Sequence, residues 1–539
     1  MRQRSLGPIL LLLGALGSVP VMSGCRVDND EIAGWANKKS GPKKLAAVLT
    51  HDKFGTELRV EAAMALALMK PRGGRSVGLL GDDQSQGLLA SLAALPSEKR
   101  DQIVLGMVPK LVTGILLERP AEGADPSIPY KDAAFALLNS PGTPLVTSPE
   151  AKDALLAALA NWCQSSFSAR MDDTSQLYGV EQVLRLVRAP GVRNLPALLA
   201  PDFKHTANVA KLVHDLGDEP TQLEASRKLV ATAEAVNSPE WRARKAEGVK
   251  ARNAQSGITA TDKQLAAQLE TYQAEELLRV FAAMKSVGKA PVAEYLIAYA
   301  KNDQNPEKGR AAALAALDGN LDRKNPAHAT FVLDILSNDK APDSLRDVAT
   351  LRVGELPREL VAERLFSLFN SERWQVRWTA ASLLLKMTEA KDLPDFMNRL
   401  GKIKHMALSE PLAYGPLLSE VKGEEAQTLA ARYAGPSFAT PARLSALGYY
   451  YRFGDARDAA LVNQYADDKA KVPSCPAKAE NCEWTCSVPN AAGQSEAKDI
   501  ATLGDFVNYC ILPALKSRPG PGPATNAGGA AAPATTPAQ

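Results

Sequence analysis

The sequence predicts an all-α protein, an α-solenoid of stacked antiparallel helix pairs that ends in a short disulfide-stapled C-terminal segment. Three observations carry that prediction. From about residue 29 to 465, apolar residues recur at three- and four-residue spacing, broken by short Asp, Asn, Gly and Pro punctuation, the pattern of amphipathic helices. The apolar share is 45% of 539 residues and leans on Ala and Leu, while aromatic residues make up only 6%; close-packed helices suit this composition better than Val/Ile/Tyr-rich strands do. Finally, an Arg near the start of a helix recurs at Arg310, Arg346, Arg377 and Arg443, at intervals of 36, 31 and 66 residues, the last being two steps with one degenerate unit between. Steps of this length belong to two-helix repeats, which lengthen a chain without needing one large core.

Residues 1–24 read as a secretory leader. Arg2 and Arg4 form its positive end, and the apolar stretch Ile9 to Leu16 is too short to span about 30 Å of hydrocarbon. Met22-Ser23-Gly24-Cys25 follows and resembles the lipobox of bacterial lipoproteins, with Met22 where Leu is usual. The resemblance implies lipidation of Cys25, and two acyl chains suffice for stable anchoring; an ordinary leader with a chance cysteine at its cleavage site is the alternative. Arg26 stands where the inner-membrane retention signal of enteric lipoproteins has Asp, which implies a body tethered to the outer membrane and facing the periplasm.

The repeats are expected over 25–217 and 291–470. Leu45 to Asp52 leads to Leu58 to Leu66, Leu296 to Asp303 leads to Arg310 to Leu317, and Leu333 to Asp339 leads to Leu345 to Leu351. Leu365 to Asn370 leads to Val376 to Leu384 with Ala380 and Ala381 as small packing residues, and a late copy begins at Ala442. One pair cannot cover its own apolar faces, so stacked neighbours build a continuous core. The pattern resembles HEAT repeats, including an Asp-containing turn before the second helix (Asp52, Asp303, Asp339) and an Arg near its start (Arg59, Arg310, Arg346, Arg377, Arg443). The family resemblance implies a hydrogen-bonded ladder of these residues between successive units, with Asn370 replacing Asp in the strongest copy. Similarity is faint between 85 and 290, where His205 takes the Arg position. Residues 218–290 are long, polar and charged, including the basic run Trp241 to Lys245, and suit a helical insertion or a seam.

Cys475, Cys482, Cys486 and Cys510 cluster within 471–516, beyond the last repeat. Their spacing lacks the close pairs of a zinc site, and in an exported chain two disulfides are expected, with three connectivities open. The stapled segment would cover the end of the solenoid. Cys163 reads as a buried free thiol, and 517–539, rich in Pro, Gly, Ala and Thr, as a disordered tail.

The sequence points to no catalytic, cofactor or metal residues. Its five histidines, His51, His205, His214, His328 and His405, are scattered, and Gly73-Gly74-Arg75-Ser76-Val77-Gly78 lacks the strand-then-helix context of a phosphate loop. Trp374 and Trp378 are expected in the core, with an exposed anchor as the alternative; of Tyr449, Tyr450 and Tyr451 at least one ring must reach the surface. The formal charge of +3, +1 once Arg2 and Arg4 leave with the leader, argues against nucleic acid as a partner. The expected function is a non-enzymatic, lipid-tethered scaffold or adaptor of the bacterial cell envelope that binds protein. The alternatives are a self-assembling envelope component and a HEAT-like lyase.

Overall fold

A computed structural model describes residues 27–518, apart from 143, 258, 339, 476–482 and 491–492. The leader, Cys25, Asp339, Cys482 and the tail beyond Arg518 lie outside the described residues. The described chain is an all-α solenoid of antiparallel helix pairs; its strands are two short hairpins, Gly81–Asp82 with Ser85–Gln86 and Thr485–Pro489 with Ser495–Asp499. It divides into two compact units. The first runs to Pro196 and includes Leu212–Thr221; the second comprises Ala197–Lys211 and the chain from Gln222.

In the first unit the helix Gly41–Thr50 pairs with Thr56–Ala67, Leu88–Ala93 is followed by Ser97–Ile115, and Ile128–Leu138 by Pro149–Gln164. The second helices stack in order, Thr56–Ala67 on Ser97–Ile115 and that on Pro149–Gln164. Helix pairs thus continue through a region where sequence similarity is faint, because the second helices here lengthen to 19 and 16 residues and break the spacing. Local chemistry sets their limits: Pro149 occupies the first turn and Ser148 Oγ accepts the Ala151 N–H, two start signals that satisfy or dispense with orphan donors. Gly114 permits one close approach, since a Cβ there would lie 2.1 Å from the Tyr130 ring.

The second unit begins with long helices, of which Pro239–Gln255 packs on Asp262–Val287. Five helix–turn–helix units follow: Ala290–Lys301 then Glu307–Ala316, Pro326–Ser337 then Asp343–Val353, Arg358–Ser367 then Trp374–Lys386, Leu393–Leu400 then Ser409–Leu417, and Ala426–Tyr433 then Thr440–Phe453. The two helices pack closely on each other in all but the fourth, whose first helix packs on Thr440–Phe453. Asp262–Val287 and the five second helices pack in chain order, each on the next. Interior positions are small or aliphatic: Ala380, Ala381, Leu384 and Leu385 are fully buried. The tightest crossing joins Ser409–Leu417 to Thr440–Phe453, where a Cβ on Gly448 would lie 1.9 Å from the Pro411 carbonyl oxygen and one on Gly415 2.0 Å from the Tyr449 nitrogen.

The C-terminal segment covers the end of this stack. Leu503–Phe506 continues through a wide turn at Val507–Ile511 into Leu512–Lys516, and Leu503, Phe506, Val507, Ile511 and Leu515 are buried where the segment packs on Thr440–Phe453. A disulfide between Cys486 and Cys510 staples the second hairpin to it, and Cys475 is disulfide-bonded as well. Trp484 Nε1 donates to the Met406 carbonyl at 3.1 Å. Ser517 and Arg518, within the expected tail, are among the described residues, and Arg518 donates to the carbonyls of Tyr451 and Arg452 at 2.7 and 2.9 Å.

Candidate protein-binding surface

The recurring Arg has one structural address. It is the fourth residue of its helix at Arg59, Arg310, Arg346, Arg377 and Arg443, and also at Arg100 and Arg170, which sequence reasoning missed. From that position the guanidinium reaches back to carbonyls that end the preceding helix: Arg59 Nε to Leu49 at 2.8 Å, Arg310 Nε to Ala300 at 2.9 Å, Arg443 Nε to Ala434 at 3.0 Å. Arg170 Nη1 reaches Trp162 at 2.6 Å, and Arg377 Nη1 reaches Ser371 and Glu372 at 2.7 and 3.1 Å. Each of these five therefore brings a positive charge and donors to the negative, unsatisfied end of its partner helix, whereas Arg100 bonds Asp101 instead. The turn aspartates contribute less. Asp52 lies 3.8 Å from Arg59 and pairs with Lys99 at 2.7 Å. Asp303 faces solvent and accepts from Gln304 at 3.1 Å, while Arg346 pairs with Asp343. In place of the expected Asp–Arg ladder, Arg59, Arg170, Arg310, Arg377 and Arg443 each act as a bolt within a pair.

Between pairs, other groups do the joining. The degenerate unit carries Glu410 at the position one 33-residue step beyond Arg377, so the cation of one pair meets an anion of the next. Arg377 Nε and Nη2 donate to Glu410 Oε1 and Oε2 at 2.9 and 2.6 Å, and Glu410 accepts further from the Ala407 N–H at 2.5 Å and the Tyr414 hydroxyl at 2.8 Å. Arg377 is 1% exposed and Glu410 0%. Burial, and next the Glu410 charge, push the Tyr414 phenol well above its ordinary range, so its proton stays available for that bond. At the other end of the second helices, Lys285, Asp318, Arg352 and Glu355 form a chain across three successive helices, with Lys285–Asp318 at 2.6 Å, Asp318–Arg352 at 3.3 Å and Arg352–Glu355 at 2.8 Å. The Lys285 hydrogen bond holds Asp318 below the usual carboxylate range, and burial pushes Glu355 up.

A third cluster sits inside the first unit. Arg170 pairs with Asp125 at 2.8 Å, Trp162 Nε1 donates to Ser127 at 2.8 Å, and buried Lys131 pairs with Asp132 at 2.5 Å, its pKa lowered by burial against the opposing pull of Asp132. Cys163 is fully buried and free, its thiol pushed up to about 12 by burial, so it stays a neutral core group and not a nucleophile. Arg170 and Trp162 bond Asp125 and Ser127 across elements, whereas Lys131 and Asp132 are neighbours on one helix. Among the described residues, no group of three or more His, Cys, Asp or Glu side chains is placed to hold a metal ion, and no helix is long and apolar enough to cross a membrane.

What remains available is surface between pairs. A groove of about 350 Å³ runs between Asp343–Val353 and Trp374–Lys386, lined by Asp343, Arg346, Asp347, Thr350, Gln375 and Thr379. On the same two helices Leu351 is 63% exposed and Trp378 38%. Trp378 therefore stands at the surface, against the core placement expected for it, because the position after Arg377 points away from the helix pair. Trp374 is half-buried. A second groove of about 500 Å³ lies between the first helices Arg358–Ser367 and Leu393–Leu400 and carries Phe366, Phe369 and Arg399. Of the three consecutive tyrosines, Tyr450 is buried and Tyr449 and Tyr451 are partly exposed. The basic run at 241–245 is largely spent internally: Trp241 is buried, and its Nε1 and Lys245 both bind Asp202, at 3.0 and 2.5 Å.

No protein-family model matches the chain, and no curated protein matches it. Solved structures similar to it include Kap121p bound to Nup53p, at 14% identity with 80% of this chain and 43% of that chain covered and a TM-score of 0.31. Kap121p bound to RanGTP is also similar, at 14% identity with 78% and 42% covered and a TM-score of 0.28. The match spans less than half of the Kap121p chain.

Proposed function

We propose that this chain is a HEAT-repeat scaffold of the bacterial cell envelope, lipid-anchored at Cys25 on the periplasmic side of the outer membrane, and that it holds a protein partner without catalysing a reaction. The observation that carries the binding reading is the pairing of Leu351 and Trp378, two large exposed apolar side chains, with a polar groove between the helices that bear them. Exposed Trp and Leu on the two helices that also bear a polar groove match the composition of an interface, in which aromatic anchors accompany a polar rim. The buried charges support a non-enzymatic role, since Arg377, Glu410, Arg170 and Lys131 spend their donors and acceptors on holding helices together. The anchor rests on Met22 to Cys25 and would keep the scaffold beside membrane-associated partners, raising their effective concentration.

The test is crosslinking and capture from envelope extract with the wild-type chain and with Leu351→Asp/Trp378→Ser. Loss of a defined captured protein in the variant supports the reading. An unchanged set of captured proteins overturns the surface, and crosslinks only between copies of the chain overturn hetero-binding. Cys25→Ala is expected to release the protein from membranes; a variant that still sediments with them overturns the anchor.

A further inference from the structure

The glycine motif Gly73 to Gly78 contributes Arg75 and Val77 to the wall of a cavity of about 730 Å³ in the first unit. Arg72 and Arg75 exchange both backbone hydrogen bonds, at 2.9 and 3.0 Å, around Gly73 and Gly74, whose φ angles are +56° and +76°. Two positive φ values in succession make a tight hairpin turn that glycine adopts without strain. Residues directly opposed across such a pair point to the same face, and like charges so placed repel. The turn therefore sets the two arginine side chains on one face, and both line the cavity. Arg72 is fixed by the carbonyls of Ala36, Lys38 and Lys39 at 3.2, 2.8 and 3.1 Å, whereas Arg75, Lys39 and Lys43 are exposed around the same cavity. The acidic lining is Asp82 and Asp83. Asp82 Oδ1 accepts from Gln84 N, Ser85 N and Ser85 Oγ at 2.9, 2.8 and 2.9 Å, which turns that oxygen toward its own loop.

We propose that this cavity binds a phosphate monoester carried on a hydroxylated ring. Four cationic side chains against two carboxylates leave two positive charges, and a phosphate monoester brings about −1.5 to −2 at pH 7. A guanidinium such as that of exposed Arg75 matches phosphate oxygens in geometry as well as charge, and Asp83 with the second Asp82 oxygen supplies acceptors for ring hydroxyls. The volume falls within the ~300–1,000 Å³ range of small-molecule sites. A free phosphosugar and the phosphorylated ring of a membrane lipid headgroup share this chemistry.

The experiment uses the full chain with Cys25→Ser and without the leader, so that no acyl anchor carries it to the vesicles. Glucose 1-phosphate is titrated by calorimetry against glucose as control, and vesicles of phosphatidylcholine with and without phosphatidylinositol 4-phosphate are tested by flotation, all with wild type, Lys43→Glu/Arg75→Glu and the distant control Lys308→Glu. At least one phosphorylated probe is expected to bind over its control, with affinity falling about tenfold or more in the double variant and unchanged in Lys308→Glu. Binding of the sugar phosphate in solution identifies a soluble ligand, and binding confined to vesicles identifies the headgroup. The proposal is overturned if neither phosphorylated probe binds above its control, or if the double variant retains wild-type affinity. Should the double variant lose its folded circular dichroism, Lys39→Gln/Lys43→Gln reads the same loss with less perturbation.

Discussion

Replacing Arg377 by Met tests how the second unit is held together. The substitution roughly preserves the length of the side chain while removing two charge-assisted bonds to Glu410, at 2.9 and 2.6 Å, and the cap on the Ser371 and Glu372 carbonyls. Glu410 would keep the Ala407 N–H and the Tyr414 hydroxyl, too few partners for a carboxylate that is 0% exposed. Breaking a buried pair from one side costs about 3–5 kcal/mol, and two lost bonds to a charged group at about 1.5–3 kcal/mol each give about 3–6 kcal/mol, an overlapping range. Urea unfolding followed by circular dichroism should show a lower midpoint at unchanged slope. The double variant Arg377→Met/Glu410→Leu, which strands no charge, should recover at least about 2 kcal/mol, because an apolar replacement of a buried pair is often neutral. A single variant that loses under about 1 kcal/mol, or a double variant no more stable than the single one, would refute the reasoning.

Three further outcomes follow from the packing and the burial. Gly448→Ala puts a Cβ 1.9 Å from the Pro411 carbonyl oxygen, so the two helices must part; a loss of about 1–3 kcal/mol is expected, and a melting temperature equal to wild type would show that the crossing is looser. Ala380→Glu places a charge at a fully buried position and should cost more than about 3 kcal/mol or prevent folding, with soluble yield and thermal unfolding as readouts. Cys163 should resist a maleimide at pH 8 in the folded chain and react fully in urea. Its folded pKa of about 12 stands above the 9 expected of an ordinary thiol, so the folded state holds the proton longer and stability falls as pH rises from 9 towards 12. Rapid labelling of the native chain would contradict that burial.

Much of this architecture is legible in the linear text because helix period, Ala/Leu composition and the Arg step are local signals. The Arg step marks the address of the bolts at Arg310, Arg377 and Arg443, and the repeat resemblance that of Arg59. What the step could not reveal was the acceptor: a backbone carbonyl carries no side-chain signature, so an Asp–Arg ladder was expected where arginines cap helix ends. The interval from Arg377 to Arg443 looked like a missing repeat, yet Glu410 at its midpoint is a charge reversal that pairs with Arg377. Reading the residue at the skipped step would have found it. Trp378 was misplaced for a geometric reason, since 3.6-residue periodicity assigns a face only when the flanking positions are clearly polar, and Val376, Ala380 and Ala381 are not. Grooves between pairs and the cavity beside Gly73 and Gly74 arise from residues far apart in sequence, such as Lys39 with Arg75, and have no local pattern.

Nearest-neighbour support between helix pairs is the claim on which the rest stands, and hydrogen exchange in Gly448→Ala measures it directly. Destabilising one pair should lower amide protection in Ser409–Leu417 and Thr440–Phe453 most, less in Trp374–Lys386 and Asp343–Val353, and leave Thr56–Ala67 and Ser97–Ile115 at wild-type protection. Equal loss of protection in all of these helices would contradict it.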